Sequence, residues 1–306
     1  MTRQIFFSLC IVRLACSSCA LKVTGTDYTM LPMSPLVPPS LKRVMPIEFV
    51  HVPKCGTSFL NTLMHIPGVC PGLSQDLEFN SEGGILMGQW QKQNPDSNCD
   101  LKAWDAHRIS HTGVGSFYAL GKGRFMGFFR QPEDRLISHF NFKIEERMSA
   151  LKHGREPRDD VPLDMFIANF SGCETKTLTR NGGMPCDYQQ GGDGNPPSPH
   201  EVQEAKTRLR EGFSFVGITD QWSLSICLFN VMFNQTCQAN QFLNARPAAL
   251  DTELRSSTAA LNGWRDPYDG EVYDVAKEIF ESNLKKYDVS ESSCESCWRE
   301  AGVVSA

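Results

Sequence analysis

The sequence has no excess of positive charge. Its 306 residues include 30 Lys and Arg against 35 Asp and Glu, a formal net charge of −5. A broad, non-specific nucleic-acid binder needs a basic face, so we expect no nucleic-acid partner. The chain also lacks the composition of a disordered protein, because 41% of its residues are hydrophobic and 21% are charged. Composition therefore excludes these two classes of protein. It is still compatible with local basic pockets.

Long apolar runs are absent as well. The apolar run at residues 5–12 is far shorter than the roughly 18 to 20 residues needed to cross a bilayer. Because a basic residue precedes this run and small residues follow it, residues 1–20 are predicted to be a signal peptide or a short signal anchor tethering the protein to a membrane. Arg13 interrupts the pattern, and the alternatives are a disordered N-terminus or an organelle-targeting segment.

A zinc-binding cysteine pattern is also missing. Cys294 and Cys297 form a C-x2-C without a second pair, so we expect disulfide bonding there rather than a metal site. Three of the twelve cysteines lie in residues 1–20, and the odd number that remains leaves at least one free thiol. We predict that this thiol is Cys55. Two glycosylation sequons, at Asn169 and Asn234, are compatible with secretion.

Hydrophobic patterning predicts an α/β fold. Strands are expected at 47–52, 124–129 and 213–218, and helices at 57–65, 132–152, 200–211, 221–234 and 270–287. Their alternation predicts a mostly parallel β-sheet flanked by helices in a single domain. We assign this domain to residues 46–290, after a Pro-rich stem at 21–45 and before a polar C-terminal tail at 291–306. Residues 181–200, rich in Gly and Pro, predict a long surface loop.

The most informative segment is VHVPKCGTSF, residues 50–59. A buried strand runs into a turn at Gly56 and then into a helix, which directs backbone N–H groups and the positive helix end at one point. Lys54 adds a positive charge, and Thr57 and Ser58 add hydroxyl donors. The pattern indicates phosphate binding, yet it differs from the Walker sequence because the lysine precedes the glycine. The alternative is an ordinary strand–turn–helix with a threonine cap.

A second segment strengthens the phosphate interpretation. Arg130 ends a predicted strand, and Ser138 follows it on the next helix. Ligands of doubly wound sheets bind at the carboxyl ends of the strands. Two anion sites at two such ends suit a ligand with two separated phosphate groups.

These segments resemble the sulfotransferases that use 3′-phosphoadenosine 5′-phosphosulfate (PAPS). PKCGTSF at 53–59 is similar to the family's 5′-phosphosulfate loop, and RQPEDRLIS at 130–138 is similar to its 3′-phosphate motif. FVGIT at 215–219 and YDVAKEIF at 273–280 look like segments of the Golgi and membrane-type carbohydrate branch. The chain departs from the family at Cys55, where Thr or Ser is usual, and at Gln131, where Asp or Asn is usual.

The resemblance implies a P-loop-like fold, PAPS as co-substrate without a metal, and a location in the Golgi lumen or outside the cell. Lys54 would hold the bridging oxygen and the sulfuryl group and act in catalysis. The remaining donor-binding positions would be Cys55, Gly56, Thr57 and Ser58 for the 5′-phosphate, with Arg130 and Ser138 for the 3′-phosphate. Because Cys55 is expected at a helix N-terminus, we predict a lowered thiol pKa and a reactive side chain.

Sulfuryl transfer to a hydroxyl group needs a base, which the family often supplies as a histidine before the 3′-phosphate motif. His111 is our first candidate and His107 our second, followed by Asp105 or a glutamate within 78–82. The resemblance favours a carbohydrate or glycoconjugate acceptor. The competing functions are a P-loop nucleotide kinase or other NTPase, and a non-catalytic glycan-binding relative that keeps the fold but lacks the base.

Overall fold

Three hydrophobic strands form the centre of the fold in a computed structural model. The structure describes residues 38–74, 99, 101–102, 111–156, 161–186, 193–245, 247, 250 and 254–303. The three central strands are β1 (Ile47–Val50), β4 (Phe125–Phe129) and β6 (Phe213–Ile218). The described residues also form the two-residue strands β2 (Leu101–Lys102), β3 (Gly113–Val114) and β5 (Asn181–Gly182), of which β2 lies at the edge of the main sheet.

The main sheet has the order β2-β1-β4-β6, and all its neighbouring strands are parallel. Val50 pairs with Gly127, and Gly127 pairs in turn with Val216. Every residue of β1 and β4 is buried, as expected for a parallel sheet covered on both faces. This register brings the carboxyl ends of β1, β4 and β6 side by side at one edge of the sheet. Strands β3 and β5 form a separate antiparallel pair.

Helices flank the sheet. They are α1 (Pro39–Lys42), α2 (Phe59–Met64), α3 (Tyr118–Gly121), α4 (Pro132–Lys152), α5 (Leu163–Phe170), α6 (Cys173–Thr179), α7 (Pro199–Gly212), α8 (Trp222–Phe233), α9 (Asp269–Lys286) and α10 (Glu291–Glu300). The largest hydrophobic cluster joins the strands to α2, α8 and α9, and a smaller cluster joins the loop after β1 to α4 and α5.

The prediction of a single α/β domain with a parallel sheet flanked by helices is confirmed. Helix α4 has the predicted bounds, and β6, α7, α8 and α9 match to within one residue. Strand β1 and helix α2 are shorter than predicted, because the chain between them forms an extended loop. Helices α5 and α6 were not predicted. Much of the predicted loop at 181–200 is irregular where the structure describes it.

Both predicted ends of the domain need correction. The fold includes α1, whose Leu41 is fully buried, so the domain begins before residue 46. Residues 291–306 are not simply a polar tail, because α10 packs on α8 and the indole N–H of Trp298 donates to the Ser223 carbonyl at 3.1 Å. The predicted signal segment at 1–20 and most of the stem lie outside the described residues.

Four disulfides and one free thiol account for the nine cysteines after residue 20. The disulfide pairs are Cys70–Cys99, Cys173–Cys186, Cys227–Cys294 and Cys237–Cys297. The two cysteines of the C-x2-C pattern therefore form disulfides, each with a partner near α8 rather than with each other. Cys55 is the free cysteine, as predicted. This many disulfides fits a secreted or lumenal protein. No helix within the described residues is long and apolar enough to cross a membrane.

Candidate phosphate-binding site

The loop between β1 and α2 has an unusual backbone. Lys54 has φ +67° and Gly56 has φ +73°, both in the left-handed region. A Cβ atom on Gly56 would lie 2.8 Å from the Cβ of Phe128, so conformation and space both require glycine there. A lysine in the left-handed region is strained, and such strain persists where surrounding structure enforces it, often at functional sites.

The hydroxyl residues of this loop precede the helix. Helix α2 begins at Phe59, two residues later than predicted, so Thr57 and Ser58 lie in the turn before it. The Thr57 Oγ1 lies 2.8 Å from the Nε2 of His51, and the Ser58 Oγ accepts a hydrogen bond from the Ala245 N–H at 2.9 Å. These contacts fix both hydroxyl oxygens beside the helix N-terminus, where an anion is favoured.

Arg130 lies directly after β4. Its backbone N–H donates to the Oε1 of Glu174 at 3.2 Å. Its side-chain Nε is buried and has no hydrogen-bond partner among the described residues. A buried donor on a cation is costly to leave unpaired, so this guanidinium is suited to an anionic ligand. Gln131 departs from the family pattern yet keeps a capping role, since its Oε1 accepts from the Asp134 N–H at 2.8 Å.

A cavity of about 470 Å³ lies at the carboxyl ends of β1, β4 and β6. Every predicted phosphate-binding residue except Cys55 lines it, together with aromatic and polar residues that follow β6 and α8. The lining residues are Lys54, Gly56, Thr57, Ser58, Arg130, Ser138, Thr219, Asp220, Trp222, Phe242, Leu243 and Asn244. The two sequence motifs, more than seventy residues apart, therefore meet at one site.

Cys55 does not match its predicted role. Its side chain is fully buried in the smaller hydrophobic cluster, and its backbone N–H donates to the Val52 carbonyl at 3.1 Å. Burial, followed by the neighbouring Glu174 carboxyl, raises the thiol pKa well above its ordinary value. The prediction of a lowered pKa and a reactive thiol is therefore wrong. A helix N-terminus lowers a thiol pKa only when the thiol faces it in a polar environment.

Glu174, on α6, is a residue that the sequence motifs did not reveal. Its buried Oε1 accepts from the Cys55 thiol at 3.6 Å and from the Arg130 N–H, so one carboxyl group joins the two phosphate motifs. Burial, and then the charge of Asp269, raise the pKa of Glu174 well above its ordinary value. A raised pKa reduces the negative charge that this carboxyl group presents to a nearby phosphate. The N–H groups of Glu174 and Thr175 donate to the Asp269 carboxylate at 2.9 Å, which anchors α6.

Three histidines lie around the lysine loop. The ring centroids of His51 and His111 are 4.5 Å apart. His51 therefore contacts both Thr57 and His111, the first base candidate. His139 is buried on α4, and its pKa is lowered well below the ordinary value by burial first, then by the charges of Arg135, His111 and Lys54. The other base candidates, His107, Asp105 and the glutamates of 78–82, lie outside the described residues.

Sequence reasoning did not single out His51 or His139. His51 stands three residues before Lys54, within the motif itself, so its position was a usable signal. His139 follows Ser138 directly, but only the packing of α4 shows that its ring faces Phe166 and Phe170. The Lys54 ammonium lies 4.4 Å from the centroid of the Phe142 ring, a cation–π contact that holds it at the cavity.

No family model, curated protein or solved structure matches this chain. Within the part of the chain that the structure describes, no group of three or more His, Cys, Asp or Glu side chains is arranged to hold a metal ion. The functional interpretation therefore depends on the motifs and on the geometry of the site.

Proposed function

We propose that this protein is a sulfotransferase that moves a sulfuryl group from PAPS to a hydroxyl group of a carbohydrate acceptor, within the lumen of the secretory pathway. The observation that carries the proposal is the shared cavity. The Lys54 loop after β1 and the Arg130 side chain after β4 line it together, and the buried Nε of Arg130 has no partner within the described residues. Two cationic strand ends on one cavity suit a ligand with two separated phosphate groups.

The residues of this cavity match the parts of the donor. Gly56, Thr57 and Ser58 would bind the 5′-phosphate through backbone and hydroxyl donors. Arg130 and Ser138 would bind the 3′-phosphate. Trp222, which stacks on Phe128 at 4.4 Å between centroids, supplies aromatic surface for the adenine base. A P-loop-like arrangement of sheet, loop and helix is part of this proposal.

The chain's own residues divide the chemistry between them. Lys54 binds the sulfuryl group and stabilises the negative charge that grows on the departing phosphate. His111 takes the proton from the acceptor hydroxyl as that oxygen forms its bond to sulfur. His51 holds the Thr57 hydroxyl by the 2.8 Å contact to its Nε2, which orders the loop around the donor.

One observation favours the alternative of a nucleotide kinase or NTPase. Asp220 follows β6 and lines the same cavity, where a carboxylate could bind Mg²⁺ beside a triphosphate. The order of Lys54 before Gly56 and the presence of Arg130 favour the sulfotransferase instead, because an NTPase has no use for a 3′-phosphate site.

Calorimetric titration separates these functions. When both titrations are done without Mg²⁺, we expect 3′-phosphoadenosine 5′-phosphate (PAP) to bind more tightly than ATP. Tighter binding of ATP, with or without Mg²⁺, would overturn the proposal. Arg130→Ala should weaken PAP binding, and Arg210→Ala is its matched control, because Arg210 lies exposed on α7 and pairs with Glu278 of α9. PAP binding without any transfer from radiolabelled PAPS would instead support the non-catalytic relative.

A further inference from the structure

A second cleft, of about 760 Å³, adjoins the candidate donor cavity. One wall is the face of α4 that carries Asn141, Phe142 and Glu145, and the other is the segment 255–258. Hydrogen bonds join the walls: the Asn141 side-chain amide donates to the Ser256 carbonyl at 2.9 Å and accepts from the Ser256 N–H at 3.0 Å. The Glu145 Oε1 accepts from the Leu250 N–H at 3.1 Å. The cleft is therefore preformed, as ligand sites usually are.

The two cavities share a border. Lys54, Arg130 and Ser138 line both of them. The inference drawn from this border rests on the proposed function. If Lys54 binds the sulfuryl group, the acceptor hydroxyl must approach the same ammonium from the side that the donor leaves open. The larger cleft lies on that open side, because its described lining includes Lys54 but not Gly56, Thr57 or Ser58, which would bind the 5′-phosphate of the donor.

The charges of the cleft select among acceptors. Its described lining has three cationic side chains and three carboxylates. Two of the cations, Lys54 and Arg130, lie at the shared border, where the phosphates of a bound donor neutralise them. Beyond the border, the lining that the structure describes has the carboxylates of Asp134, Glu145 and Glu146 and the guanidinium of Arg255.

We infer that the acceptor is a neutral glycan that binds along α4 in this cleft. Carboxylate oxygens accept hydrogen bonds from sugar hydroxyl groups, and Ser149, Ser257 and Thr258 add hydroxyl partners. A polyanion such as a glycosaminoglycan brings its own carboxylates against Glu145 and Glu146 and is repelled. An acidic peptide meets the same repulsion.

The test compares acceptors of equal length that differ in charge. The probes are an N-acetyllactosamine tetrasaccharide, which is neutral, and unsulfated chondroitin and heparosan tetrasaccharides, which are anionic. Transfer of radiolabel from PAPS gives kcat/KM for each. We expect the neutral probe to be preferred by about tenfold or more. Equal or better transfer to either anionic probe, or transfer to none of the three, would overturn the inference.

A charge-reversal variant checks that the cleft is responsible. Glu146→Lys should lower the neutral-to-anionic ratio by about tenfold, whereas Glu278→Lys on the exposed face of α9 should leave it unchanged. An unchanged ratio in Glu146→Lys counts against the cleft. PAP calorimetry on the same preparations distinguishes the two levels of failure. If PAP binds but the acceptor preference is absent, the inference fails alone; if PAP does not bind, the proposed function fails and the inference falls with it.

Discussion

The two strand ends that meet at the cavity are built in different ways. After β1 the chain forms an irregular loop with two residues in the left-handed region and then a helix of six residues. After β4 it passes within two residues into a helix of 21 residues, with Gln131 as its cap and Pro132 at its first position. In the proposed function, the first unit provides backbone and hydroxyl donors and the Lys54 ammonium, whereas the second provides the side chains of Arg130 and Ser138.

The two units owe their conformations to different kinds of contact. The β4–α4 unit is determined by neighbours in sequence, since Gln131 caps the N–H of a residue three positions later. The loop after β1 depends on residues far away in the sequence. Phe128 leaves no room for a side chain at Gly56, and the Cys55 thiol donates a hydrogen bond to Glu174, 119 residues later. Substitutions near the loop should therefore alter binding through distant contacts, whereas those at the start of α4 should act locally.

The largest expected effect is the loss of turnover on substitution of Lys54, in the loop after β1, or of His111. Lys54→Ala should lower turnover more than it lowers PAP affinity, because in the proposed mechanism Lys54 stabilises charge that develops during transfer. His111→Ala should cost about 10² to 10⁴ in turnover, the usual contribution of a general base, and leave PAP affinity nearly intact. Steady-state kinetics with radiolabelled PAPS and calorimetry measure the two quantities.

Lys285→Ala, near the end of α9, is the control for these variants. If His111→Ala keeps full activity while His107→Ala abolishes it, the donor site stands and the choice of base is wrong. If neither histidine matters, the base must be a carboxylate.

The next effect tests the distant support of the loop. Glu174→Ala removes the acceptor of the Cys55 thiol and the Arg130 N–H, and should weaken PAP binding by about 1 to 3 kcal/mol. Glu174→Gln keeps an oxygen at the same position and should retain most of the affinity. Denaturant unfolding of each variant reports stability separately. A stability loss in Glu174→Ala with unchanged PAP affinity would show that Glu174 does not position the phosphate motifs.

A smaller, local effect is expected in the β4–α4 unit. Gln131→Ala removes the helix cap and should lower the free energy of unfolding by about 1 kcal/mol. Gln131→Asn or Gln131→Asp, the residues usual in the family, should preserve it. Urea denaturation measures this difference, and PAP affinity should change little in all three variants. A large loss of affinity in Gln131→Ala would contradict the division between the two units.

The smallest expected effect is on the chemical reactivity of Cys55, which lies between Lys54 and Gly56 in the loop. Because Cys55 is buried and its pKa is raised, iodoacetamide should alkylate it slowly in the native protein and fully after unfolding. Mass spectrometry of non-reduced protein should also show the four disulfides. Rapid labelling of native Cys55 would mean that the loop opens and that its contact with Glu174 is not maintained.

Sequence patterns predicted the local half of this structure. Helix α4 could be predicted because apolar residues recur at helical spacing after Pro132, and β4 could be predicted because its positions form one hydrophobic run. The meeting of Lys54, Arg130 and Ser138 also followed from strand ends in a parallel sheet. Helix α10 had a usable signal in its Ser290 capping box, which the polar composition of residues 291–306 obscured.

The rest depends on contacts between distant parts of the chain. No pattern around Cys55 shows that its thiol turns into a hydrophobic cluster toward Glu174, so its pKa could not be predicted. The cysteine pairing likewise depends on how α10 packs against α8, which the C-x2-C spacing of Cys294 and Cys297 does not contain.

The central claim is that the two strand ends bind two phosphates of one ligand, and calorimetry of Arg130→Ala with PAP and with 5′-AMP tests it most directly. The two ligands differ only by the 3′-phosphate. We expect the variant to lose about 1.5 to 3 kcal/mol of affinity for PAP, the range for a charge-assisted hydrogen bond, and much less for 5′-AMP. Equal losses for both ligands would contradict the assignment of Arg130 to the 3′-phosphate.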